Sequence, residues 1–137
     1  MAFEGINYLA VLAAMVAAFL FGAAYYTLLA KPWMAAIGKT AEEVKAGAGP
    51  LVYFVTAAAQ LVMSFMLAGV MGHLGGEAIS ASGGLIVGFS VWLGFVLTTL
   101  VVNHSFQGAK RSLTVIDGGH WLGALLIQGF VIGLIGL

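Results

Sequence analysis

The sequence predicts an all-α integral membrane protein, a bundle of four transmembrane helices. Only 7% of the residues are charged and 62% are hydrophobic, whereas about 25% of the residues of a typical soluble domain are charged. Four long stretches contain no Asp, Glu, Lys or Arg. Each is about 20 residues or longer, the length an α-helix needs to span a bilayer, and none alternates like a barrel strand. The charge-free stretches are residues 5–30, 46–76, 78–109 and 118–137.

These stretches predict one transmembrane domain over residues 1–137. The predicted helices cover residues 5–30, 50–73, 83–104 and 114–136, and the lipid bilayer is the expected surrounding. The N-terminal segment lacks the basic region of a signal peptide, and its apolar run is too long for one. We therefore expect it to be the first spanning helix of the mature protein.

The positive charges predict a single orientation in the membrane. All five basic residues lie in the first and third loops, and the second loop has none. The positive-inside rule makes the basic side cytoplasmic. This pattern predicts a multi-pass protein of the cell inner membrane with both termini on the non-cytoplasmic side. The basic residues are Lys31, Lys39, Lys45, Lys110 and Arg111.

The first loop is predicted to contain a short helix of its own. Thr40 and Glu43 have the spacing of a capping box, and Gly47 can end the helix before Pro50 begins the next one. At the end of the first spanning helix, three aromatic residues are predicted to act as anchors at the membrane interface. They are Tyr25, Tyr26 and Trp33.

Small and polar residues at four-residue spacing predict the helix-packing faces. In lipid, helices associate through small residues that let backbones approach, and through sparse polar groups. There are more such faces than four helices need, so we expect association with a second copy or a larger membrane complex, with helix four as the candidate face. The predicted packing residues are Gly22, Gln60, Ser64, Gly84, Gly88, Gly94, Gly119, Gly123, Gly129 and Gly133.

Gln60 is a strong hydrogen-bonding group near the middle of helix two, and its amide must find a partner in hydrocarbon. One interpretation is an interhelical bond to Thr27, Ser90 or Thr98. The alternative is that Gln60 lines a path for a polar substrate.

Asp117 and His120 stand three residues apart at the start of helix four, so they share a helix face. Asp117 is interpreted first as a cap or as a partner of Lys110 or Arg111. A weaker alternative joins His104, Asp117 and His120 in a divalent-metal site or proton relay, although the spacing matches no known ligand signature. We therefore predict no metal.

Other chemistry is restricted by composition. The absence of cysteine excludes thiolate catalysis and cysteine-ligated metals, and zero net charge without a large basic patch excludes a nucleic-acid partner. The identity of any cofactor, such as a pigment, lipid or quinone, stays open because apolar cofactors leave little signature in an apolar sequence.

Two segments resemble a known family. The first is Phe21-Gly22-Ala23-Ala24-Tyr25-Tyr26 followed by Lys31-Pro32-Trp33 and Gly38, and the second is Trp92-Leu93-Gly94-Phe95. Together they are similar to the DUF1761 family of small bacterial integral membrane proteins. The resemblance implies a bacterial inner membrane and four helices, and it implies no activity and no site residues.

Three functions follow as hypotheses. The first is a non-enzymatic accessory or scaffolding subunit of a membrane complex or homo-oligomer, because small-residue faces are abundant and ionisable groups within the spans are scarce. The alternative is a transporter or channel for a small solute or ion, lined by Gln60, Ser64, Thr98 or the histidine group. A membrane enzyme comes third and rests only on His104, Asp117 and His120.

Overall fold

A computed structural model of the protein describes residues 3–137, which fold into helices without a strand. Four helical segments are long and apolar enough to cross a membrane, which confirms the all-α, four-helix prediction. A π-helical segment, Trp92–Leu97, joins α5 to α6, and a 3-10 turn, Gly76–Ala78, precedes α5. The α-helices are α1 (Tyr8–Leu28), α2 (Ala30–Ile37), α3 (Ala41–Gly47), α4 (Pro50–Leu74), α5 (Ala81–Val91), α6 (Thr98–Gln107) and α7 (Arg111–Ile135).

Some helix ends differ from the predicted ones. The predicted helix over residues 5–30 ends at Leu28, and a second helix, α2, which the sequence did not predict, follows the break. The third span reaches Gln107, beyond the predicted end at residue 104. Helix α7 begins at Arg111 instead of residue 114. At 1.5 Å per residue, Asp117 lies about 9 Å along the helix from Arg111 and His120 about 14 Å.

Local sequence accounts for several helix ends. The Asn7 side chain accepts hydrogen bonds from the backbone N–H groups of the first turn of α1. The predicted capping box at Thr40 and Glu43 is confirmed. Gly38 and Gly108 have positive φ angles of 69° and 66° and end α2 and α6, a conformation that glycine adopts without strain.

Helix α7 is the central element of the bundle. It packs extensively against α5 and α1, α1 packs against α4, and the contacts of α4 with α7 and α5 are smaller. The crossing of α5 and α7 is a backbone contact, because a Cβ atom on Gly84 or on Gly129 would overlap the carbonyl oxygen of the other residue. A Cβ on Gly133 would likewise overlap the Ser80 carbonyl. Such close approach maximises the van der Waals contact that holds helices together in lipid.

The two halves of the bundle are packed differently. We call the membrane side with the five basic residues the basic side. The main hydrophobic cluster, with Val11, Leu67 and Met71 among its members, lies toward the other side. Toward the basic side, residues 51–55 of α4 are all exposed, and α6 has no buried residue. Within this chain, α4 and α6 therefore pack against the other helices over only part of their length.

Candidate functional site

Asp117 is held by the end of α1. It is the only aspartate in the chain and the only acidic residue within the four spans. The Tyr26 hydroxyl donates a hydrogen bond of 2.8 Å to Asp117 Oδ1. The neighbouring Tyr25 hydroxyl donates to the Ile116 carbonyl at 2.7 Å. Two adjacent tyrosines thus attach α1 to the first turns of α7.

These bonds give the predicted interface anchors a role within the bundle. Tyr25 and Tyr26 were predicted as interface anchors, and in the structure their hydroxyl groups bond α7. Trp33, from α2, packs edge-on against the Tyr26 ring with 5.7 Å between centroids. The unpredicted helix α2 therefore closes the basic-side end of the site.

His120 lies one turn deeper than Asp117, and only 5% of its surface is exposed. Its imidazole packs among four aromatic rings, with the Tyr26 ring centroid 4.9 Å away. Gly22 makes this possible, because a Cβ atom at that position would lie 2.8 Å from His120 Nε2. The buried Nδ1 atom has no hydrogen-bond partner among residues 3–137. The four rings belong to Phe21, Tyr25, Tyr26 and Trp121.

The π-helical segment contributes a further contact with α7. The indole Nε1–H of Trp92, its first residue, donates a 2.8 Å hydrogen bond to the Gly118 carbonyl. π-Helical turns often occur at functional sites. Here the turn directs an indole N–H into the middle of the bundle, where it is satisfied by backbone.

Two glutamines meet where α4 crosses α7. Gln60 is 1% exposed and Gln128 is 0% exposed. The Gln128 amide Nε2 donates to the main-chain oxygen of Gln60 at 3.3 Å, and both Oε1 atoms have no partner among the described residues. Gln128 was missed from the sequence. The available signal was its four-residue spacing from Ala124, itself four residues from His120.

The predicted partners of Gln60 were wrong. Thr27, Ser90 and Thr98 each donate to the carbonyl four residues earlier in their own helix. Ser64, one turn beyond Gln60, donates to the Val11 carbonyl of α1 at 3.0 Å. It therefore links α4 to α1.

The structure does not bring His104, Asp117 and His120 together. His104 Nδ1 lies 2.8 Å from the Thr114 hydroxyl, and Lys110 donates to the Ala35 carbonyl instead of pairing with Asp117. Within residues 3–137, no three His, Cys, Asp or Glu side chains are close enough to hold a metal ion. Asp117 and His120 do share a site, with the tyrosines of α1.

Most of the predicted packing glycines contact another helix of the chain, and one does not. Gly84 and Gly88 of α5 lie against α7. Gly129 and Gly133 of α7 lie against α5 and the residue before it, and Gly119 and Gly123 lie against the side chains of Tyr25 and Phe21. The small-residue faces of the predicted helix four are thus occupied within the chain. Gly94 is the exception: it is exposed and a Cβ atom there would meet nothing within 4 Å, so its predicted packing role was wrong.

The sequence profile of a family described as "Protein of unknown function (DUF1761)" matches residues 9–133. The chain belongs to this family. No curated protein and no solved structure matches it. In this DUF1761 protein, four of the residues on which the resemblance was based contact α7. Gly22 faces His120, Tyr25 and Tyr26 bond α7, and Trp92 bonds Gly118.

Proposed function

We propose that the protein moves a small polar solute or an ion across the membrane along one face of α7. The observation that carries the proposal is the Asp117 carboxylate, which lies inside a span and is bonded by Tyr26. Ionisable residues within spans are costly, and they commonly mark ion or substrate pathways. We call Asp117, His120, Ala124 and Gln128 the polar face of α7, because their spacing of three or four residues places them on one side.

Two features favour this proposal over an accessory subunit. Most of the glycine faces that suggested a partner are occupied by contacts within the chain, above all between α5 and α7. The polar groups also extend deeper than the sequence indicated, from Asp117 to the Gln60–Gln128 contact. The proposed role is non-enzymatic, since movement of a solute requires no bond to be made or broken.

The proposal includes an orientation. We place the basic side in the cytoplasm of a cell with the protein in the inner membrane, following the positive-inside rule. Both termini then lie on the non-cytoplasmic side, and Asp117 and Tyr26 are near the cytoplasmic end of the path.

Flux through proteoliposomes tests the proposal. Vesicles containing the wild-type protein should pass protons, Na⁺ or K⁺ faster than protein-free vesicles, as followed by internal pyranine or ion-selective dyes. Gln60→Leu should abolish this flux, because it removes the amide at the α4–α7 crossing. It should not unfold the bundle, because it also removes a buried oxygen without a donor.

The matched control is Gln107→Leu, the same substitution at an exposed position at the end of α6. Its flux should equal that of the wild type. Wild-type vesicles that pass none of these ions, or equal flux in the two variants, would contradict the proposed role of Gln60.

A second candidate is the accessory or scaffolding function, including a homo-oligomer, and one observation favours it. The basic-side half of α4 is unpacked, and Phe54 there is 70% exposed. Since lipid-embedded helices associate by van der Waals packing, a half-packed helix offers a face to another membrane chain.

The cysteine-free sequence allows a clean test of this candidate. Phe54→Cys should form a disulfide-linked homodimer, or with a native partner a heavier species, on oxidation in native membranes. Leu20→Cys is the control, because Leu20 is 62% exposed on α1 and outside this face. Cross-linking at neither position, or equally at both, would count against a specific interface on α4.

A further inference from the structure

Three buried side-chain atoms lack a hydrogen-bond partner in the described part of the chain, and they belong to residues on or next to one face of α7. They are Gln60 Oε1, His120 Nδ1 and Gln128 Oε1. His120 and Gln128 belong to the polar face of α7, and Gln60 meets that face through the bond from Gln128 Nε2. A buried polar atom without a partner destabilises the fold, so three along one face call for a common explanation.

The chemistry of the two amide oxygens restricts what can satisfy them. Both are acceptors, so the missing partner must be a hydrogen-bond donor or a cation. A cation would lack a counter-charge, because Asp117, the only acidic residue in a span, lies eleven residues from Gln128, about 16 Å along the helix axis. Water is neutral and donates two hydrogens, and buried water typically satisfies such groups.

The polar face also lacks a large side chain between His120 and Gln128. The buried residue between them is Ala124, which carries only a methyl group and is fully enclosed, so a water molecule beside it requires the surrounding side chains to shift. Asp117, His120, Ala124 and Gln128 follow one another at intervals of three or four residues, so they form a continuous stripe along the helix. The stripe covers about half of the roughly 30 Å hydrocarbon thickness.

We propose that ordered water molecules bind along the polar face of α7, from Asp117 to the Gln60–Gln128 contact. At the end near the membrane centre, water donates to the two amide Oε1 atoms. At the end near the basic side, it bonds His120 Nδ1, as donor or acceptor according to the tautomer, and the Asp117 carboxylate. This binding site deepens the transport proposal, since it supplies a hydrated path from the basic side to the membrane centre for a proton or a small hydrogen-bonding solute.

Water-edited solid-state NMR of the full-length protein in lipid bilayers tests the proposal. The chain contains three glutamines, so glutamine-selective ¹⁵N labelling yields three side-chain amide signals, assigned by Gln60→Leu and Gln107→Leu. Gln60 and Gln128 should receive magnetisation from water nearly as fast as the exposed Gln107. The main-chain amide of Ile132, fully buried farther along α7, supplies the dry reference in an isoleucine-labelled sample.

Ala124→Val then tests whether the water molecules form a continuous row along the polar face of α7, which we call the water file. The added methyl groups should reduce transfer to Gln60 and Gln128 and leave Gln107 unchanged. Gln60 and Gln128 signals as dry as Ile132 would overturn the proposal, and so would transfer that Ala124→Val does not alter. If that variant does not fold, the wild-type comparison still decides whether the glutamines are hydrated.

The outcomes separate this inference from the transport proposal. Hydrated glutamines in a protein that passes no ion would support the water site and contradict the transport role. Dry glutamines in a protein that conducts would remove the water file and leave transport by another path.

Discussion

Gly84→Ala is expected to destabilise the bundle strongly, by about 1–3 kcal/mol or more. The new Cβ atom would overlap the Gly129 carbonyl, which belongs to a helical backbone and cannot rotate away as a side chain would. Helices α5 and α7 must therefore separate, and van der Waals contact along the most extensive helix pair is lost. The free energy of unfolding can be measured by titration with SDS from mixed micelles, followed by tryptophan fluorescence.

Gly94→Ala is the matched control. It adds the same methyl group to the same span, but nothing lies within 4 Å of the new Cβ atom. The higher helix propensity of alanine, up to about 1 kcal/mol, should leave this variant as stable as the wild type or slightly more stable. Equal losses in both variants, or no loss in Gly84→Ala, would contradict the backbone contact between α5 and α7.

The number of spans and the basic side were predictable because they depend on local properties. A span needs about 20 apolar residues in one stretch, and charges are excluded from it, so composition along the chain is sufficient. The capping box at Thr40 and Glu43 was equally local, since both of its bonds lie within one turn.

The directions of the side chains were not predictable in the same way. Tyr25 and Tyr26 at a helix end suit either an interfacial anchor or an interhelical bond, and the choice depends on how α1 crosses α7. The Gln60 side chain bonds none of the predicted partners, and its main-chain oxygen accepts from Gln128, because the rotation of α4 against α7 determines which groups meet. Rotation depends on packing over whole helices, which a single sequence does not display.

Gly94 shows a second reason for failure. Gly84 and Gly94 are the same residue in the same apolar span, but only Gly84 faces α7. The segment Trp92–Leu97 is π-helical, with more residues per turn than an α-helix. The stripe at four-residue spacing through Ser90, Gly94 and Thr98 faces away from the bundle, because all three residues are exposed, and no residue of the π-helical segment is buried.

Asp117→Asn is expected to abolish flux and to leave the fold intact. An asparagine has nearly the same size, and its side-chain oxygen can still accept the hydrogen bond from the Tyr26 hydroxyl that now reaches Asp117 Oδ1. The substitution removes the only carboxylate within the four spans. A pathway that depends on this charge, or on a proton exchanged at it, then has no group to replace it.

The control for this variant is Glu77→Gln. Glu77 also carries a carboxylate, but it is exposed in the 3-10 turn between α4 and α5, outside the spans. It carries no part of the proposed path. The change from a carboxylate to an amide is the same, so any general effect of lost negative charge should appear in both variants.

The role of the Asp117 carboxylate is tested by measuring ion flux and the free energy of unfolding on the same preparations of wild type, Asp117→Asn and Glu77→Gln. All three proteins should have nearly equal stability, and only Asp117→Asn should lose the flux of the ion that the wild type passes. Wild-type flux in a stably folded Asp117→Asn protein would contradict the central role of the carboxylate on α7.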